Sequence, residues 1–120
     1  MTKDTVQHHI IRVEFDRFKA YERYTLHVRS FNILVGPNNA GKSTVLVAFR
    51  ILSAALRKAN TKKPEILPLG ERQVYGYNVD LSAVSVAEEN IFYNYDDSEP
   101  AKVVFHLSNQ STFTLLFPEK

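Results

Sequence analysis

The clearest chemical signal in the chain is the run Gly36-Pro37-Asn38-Asn39-Ala40-Gly41-Lys42-Ser43, followed by Thr44. Its spacing is G-x-x-x-x-G-K-[ST], a pattern in which backbone wraps around phosphate groups. Gly36 lets the chain turn out of a strand so that successive N–H groups converge on phosphate oxygens. Gly41 has no Cβ, so the backbone can approach those oxygens closely. Lys42 can reach the β- and γ-phosphates as a mobile cation, and the Ser43 hydroxyl can ligate magnesium. A helix starting here adds unpaired N–H groups and the positive end of its dipole. A chance match in a chain of this length is roughly a one-in-two-hundred event. The candidate nucleotide-binding set is therefore Gly36, Asn38, Asn39, Ala40, Gly41, Lys42, Ser43 and Thr44, with Ser43 also the candidate metal ligand.

Such a loop works only between a strand and a helix, and the flanking residues supply both. Phe31-Asn32-Ile33-Leu34-Val35 is nearly all apolar, as a strand covered on both faces requires. From Lys42 to about Ala59 the apolar residues leave only Arg50, Ser53 and Arg57 as a polar stripe, which predicts a helix packed against a sheet and further elements. Arg57 and Lys58 suit its C-terminal end, and Pro64 lies beyond it. Upstream, Ile11, Val13 and Phe15 alternate with Arg12 and Glu14, and Tyr24–Val28 alternates again, predicting a hairpin across roughly 17–23. Downstream, Asn60–Arg72 reads as a loop because of Pro64, Pro68 and Gly70. In the ambiguous stretch Asp80–Asn90, Ser85-x-x-Glu88 has the form of a capping box. Tyr93–Pro100 is turn-rich, and Ala101–Leu107 with Thr112–Phe117 predicts a second hairpin around Ser108–Ser111.

Composition narrows the remaining classes. The 120 residues suffice for one domain, with 15 Lys+Arg against 13 Asp+Glu, 44% apolar residues and no Cys. There is no disulfide framework, no Cys-ligated zinc and no thiol nucleophile. No apolar run approaches the ~18 residues of a membrane span, and the N-terminus does not read as a signal peptide, so no membrane partner and a cytoplasmic location are expected. His8, His9, His27 and His106 are too scattered to predict a metal site. Arg50, Arg57, Lys58, Lys62 and Lys63 form a basic run that can meet a DNA backbone, although a solvated helix end is the plainer account. Tyr75, Tyr77, Tyr93 and Tyr95 can stack bases, although strand aromatics more commonly serve packing.

The run Phe31–Thr44 resembles the start of ABC-type ATPase heads of the SMC and RecF kind. It is most similar to the AAA-family ATPases of OLD-type (overcoming lysogenization defect) endonucleases, which the Asn39-Ala40 form favours. Phe15-Asp16-Arg17-Phe18 before the loop strand and Glu89-Asn90-Ile91-Phe92-Tyr93-Asn94-Tyr95 after the helix are similar to the same group. The resemblance implies an α/β P-loop NTPase fold: an N-terminal head lobe with a mixed sheet and an antiparallel β subdomain around a central P-loop helix. It implies ATP and Mg2+ as ligands, a second head as partner, and action on DNA in repair or anti-phage defence. It also points to Phe18 or Tyr21 as an adenine contact.

The family's Asp-Glu strand, signature sequence and switch His are not found in this sequence, and Asp96-Asp97 follows a stretch too polar for that strand. Residues 1–120 thus read as an incomplete ATP-binding lobe that depends on the rest of the head and does not hydrolyse ATP by itself, with no catalytic residue assignable. The alternative is a clamp module that binds ATP for assembly without hydrolysis. A GTPase or small-molecule kinase is disfavoured, because two strands precede the loop strand and no guanine-reading Asn-Lys-x-Asp follows.

Overall fold

The computed structural model describes residues 9–28, 39–69 and 71–120. Strands β1 (Ile10–Phe18) and β2 (Tyr21–His27) form the expected N-terminal hairpin, closed by a tight turn at Lys19-Ala20. Lys19 takes a positive φ of 52° there, and its N–H donates to the Ile91 carbonyl at 2.7 Å. The helix α1 (Asn39–Thr61) starts three residues before Lys42 and runs two past Ala59. Its end is closed by Thr61, whose hydroxyl donates to the Lys58 carbonyl at 3.3 Å. The predicted strand Phe31–Val35 lies outside the described residues.

The stretch expected as loop contains a second hairpin, β3 (Glu65–Leu69) and β4 (Arg72–Gly76). Pro68 misled because a proline removes a backbone donor. In a two-stranded ribbon each strand keeps one free side, so that donor is not needed. The capping box is not formed either. Asp80 caps a short 3₁₀ turn over Leu81–Val84 by accepting from the Ser82 N–H at 3.0 Å. Ser85 ends that turn in the left-handed region (φ 59°), and the next turn, Glu88–Asn90, follows Ala87 with no side-chain cap. Strands β5 (Ala101–Leu107) and β6 (Thr112–Phe117) have the bounds expected from their alternation.

The main sheet has the order β2-β1-β5-β6, antiparallel throughout. Among the described residues every strand pair is antiparallel, so the antiparallel subdomain is present, and any mixed-sheet character rests on the segment outside them. Register aligns Val13 with Phe105 and Phe15 with Val103, and Val103 in turn with Leu115, on one face. Val45, Ala48, Ile51 and Leu52 of α1, at helical spacing, join them in the core. Phe49 meets Phe105 edge-on at 5.3 Å between ring centroids. A bulge between Ile10 and Arg12 interrupts the β1 alternation, so Ile10 packs on the core and Ile11 is exposed. Leu46 and Leu56, which the near-continuous apolar pattern had led us to expect covered, are also exposed.

Candidate functional site

Half of the phosphate-loop motif lies inside α1. Asn39, Ala40, Gly41 and Lys42 form its first turn, where geometry leaves about four N–H groups without an intrahelical acceptor. That turn contains no acidic residue, so no carboxylate competes for these donors or for the positive end of the helix dipole. Lys42 is half-buried and Ser43 exposed, one helical position apart at the start of a helix of 23 residues. Thr44 points the other way and is buried at 1% exposure. Gly36, Pro37 and Asn38 lie outside the described residues. The arrangement fits an anionic, metal-chelated ligand: free N–H groups, a cation and an accessible hydroxyl gathered at one helix end.

The helix is held at several points along its length. Arg50 Nη1 donates to the Val84 carbonyl at 3.4 Å, and Lys58 Nζ donates to the carbonyl of Asn78. Two members of the basic run thus tie α1 to the 78–84 segment, while Arg57, Lys62 and Lys63 are exposed. These ties fix the direction in which the helix N-terminus is presented.

The aromatic residues before the loop separate into two roles. Phe18 is fully buried, 5.9 Å from Phe15 and 5.7 Å from Phe117 between ring centroids, and its backbone bridges to Phe92. It cannot present a face to adenine, which corrects that expectation; the odd spacing Val13, Phe15, Phe18 follows from the positive φ (53°) at Arg17. Tyr21 is half-buried and stacks on Tyr24 at 4.5 Å, and burial pushes its hydroxyl pKa up. Of the later tyrosines, Tyr77 donates to the Lys62 carbonyl at 3.2 Å, and Tyr93 lies under the Arg17 guanidinium at 5.6 Å. Tyr75 and Tyr95 are each 76% exposed, which the sequence pattern did not indicate.

The acidic groups are engaged away from the helix start. Asp96 accepts from the Ser98 hydroxyl at 2.6 Å and from Arg17 at 3.3 Å, and the Ser98 bonds hold its carboxyl below the usual range. Asp80 is held down in the same manner by Ser82. Among the described residues no group of three or more His, Asp or Glu is placed to hold a metal ion. No helix among them is long and apolar enough to cross a membrane.

A family model described as AAA ATPase domain matches residues 9–113. No curated protein and no solved structure matches the chain.

Proposed function

We propose a function for this chain from one premise: it belongs to the AAA ATPase domain family. The chain is the phosphate-cradling, N-terminal lobe of a cytoplasmic P-loop ATPase acting on DNA, of the OLD-like kind, in repair or anti-phage defence. Gly36, Asn38, Asn39, Ala40 and Gly41 supply the loop, Lys42 the cation, Ser43 the magnesium ligand and Thr44 the inward anchor of the first turn. The observation that carries this reading is the register of motif on helix. The Gly-Lys-Ser end of the motif falls on the first turn of a long, tied helix whose start carries no carboxylate.

In this reading bound magnesium shields the phosphate charge and orients the γ-phosphate. The protein's own part is to bind and position. N–H groups of 39–42 orient the phosphates, and Lys42 balances charge where it concentrates. The remainder of the head, and a second head facing the first, supply the groups that direct the attacking water. Calorimetry with Mg-ATP tests the cradle: Lys42→Ala should weaken binding at least about tenfold, ~1.4 kcal/mol. Equal affinities in wild type and variant would overturn the reading.

A further inference from the structure

We propose that the outward face of the β3–β4 hairpin binds single-stranded DNA. This deepens the DNA-acting part of the reading above and rests on it for the partner class, but uses a surface separate from the phosphate loop.

Register decides which side chains share that face. Ile66 pairs with Tyr75 and Pro68 with Gln73, so these four stand on one side of the ribbon, and all are exposed. Leu67 and Val74 pair on the other side, are half-buried, and line a groove with Leu52, Ala55 and Ala59 of α1. The ribbon is fastened at its base by the Tyr77 hydroxyl on the Lys62 carbonyl (3.2 Å) and by Lys58 Nζ on the carbonyl of Asn78. The exposed pair therefore sits on an anchored platform. Ile66 is 56% and Tyr75 76% exposed, and a strand tyrosine so exposed does no work in the core.

Charge concentrates around this platform. Residues 57–72 hold five cations, Arg57, Lys58, Lys62, Lys63 and Arg72, against Glu65 and Glu71, a net of +3 in a chain whose total is +2. Residues 73–101 hold six carboxylates and neither Lys nor Arg. Lys63 precedes Ile66, and Arg72 precedes Tyr75, by about 10 Å of extended chain each, so cations lie near both ends of the aromatic pair. An exposed ring between cations is the arrangement that stacks an unpaired base while its phosphates are neutralised. A duplex keeps its bases stacked on one another and offers no such face. The area also disfavours a protein partner. Two strands of five residues present a face roughly 17 Å by 10 Å, well short of the ~800 Å² per side of a stable protein interface.

Fluorescence anisotropy of the full chain with a labelled oligothymidylate, without nucleotide and at low salt, tests the assignment. Wild type should bind the single strand more tightly than a duplex of equal length. Tyr75→Ala should weaken binding about fivefold or more, and Tyr75→Phe should restore it, because the ring face is what stacks. Lys62→Gln with Lys63→Gln should flatten the salt dependence by about one unit of slope. Both positions are exposed, and circular dichroism checks that the variants fold. Equal binding by wild type and Tyr75→Ala, a preference for duplex, no binding, or a wild-type dimer that Tyr75→Ala dissolves would each overturn the proposal. ATP titration of the same samples separates the two readings, since a chain that binds ATP but no oligonucleotide loses the hairpin surface alone.

Discussion

The Glu14 carboxylate on β1 lies 3.0 Å from Nε2 of His106 on β5, across two adjacent strands on the sheet face away from the core. The hydrogen bond with His106 is the main cause holding the Glu14 carboxyl below its ordinary value of 4.5; partial burial opposes it, and the charges of His106, Arg12 and Lys102 assist. A lowered carboxyl pKa means that the contribution is complete above the ordinary value and is lost as pH falls through the lowered one. Because the carboxylate is 46% exposed, screening limits the effect to under about 1 kcal/mol. Urea titrations of wild type and His106→Ala should show a stability difference near neutral pH that shrinks below about pH 4. A difference that stayed constant into acid would sink this account.

The metal assignment at Ser43 separates cleanly from the cradle itself. Ser43 is exposed at the helix start, so Ser43→Ala removes one hydroxyl without opening a cavity. Its ATP affinity in magnesium should fall to about that measured with a chelator, while the chelator value matches wild type. An unchanged magnesium enhancement would remove Ser43 from the metal site.

Phe18 should act on stability and not on nucleotide. It is fully buried against Phe15 and Phe117, so Phe18→Ala should cost about 3–5 kcal/mol, and Phe18→Leu less. Thermal melts report the first effect. ATP titration of the folded Leu variant should give the wild-type affinity, and a marked loss would return Phe18 to the base-contacting role that its burial excludes.

What could be read in advance depended on whether local pattern and tertiary setting agreed. β5 and β6 were legible because the alternation of Ala101, Val103 and Phe105 matches a sheet with one buried face. The β3–β4 ribbon was not, because Pro68 and Gly70 argue for a loop unless both strands are known to have a free edge. Ser85 had the spacing of a helix cap, yet it sits in the left-handed region, where the chain closes one turn before opening the next. For the site, the motif named its residues from spacing alone, and the structure adds that α1 begins at Asn39, inside the motif. The exposure of Tyr75 had no sequence signal, since an outward aromatic and an inward one obey the same alternation.

The β5–β6 turn carries a removable strain. Gln110 is exposed and adopts φ 73°, in the left-handed region that side chains with a Cβ resist by about 1–2 kcal/mol. The turn holds it there: its N–H donates to the Leu107 carbonyl at 3.1 Å, and the Leu107 N–H donates to the Ser111 carbonyl at 2.9 Å. The Ser111 N–H is taken by the Asn109 side chain at 3.0 Å, so the backbone groups on either side are satisfied in this conformation. Gln110→Gly relieves the strain but adds about 0.5–1 kcal/mol of unfolded-state entropy. The net gain should be on the order of 0.5 kcal/mol, a rise in Tm of roughly 2 °C. Gln110→Val keeps every backbone hydrogen bond but puts a β-branched side chain at positive φ, and should lose more than about 1 kcal/mol. Paired melting curves of the two variants check the sign: a valine variant as stable as the glycine one would mean that the turn does not hold residue 110 in the left-handed region.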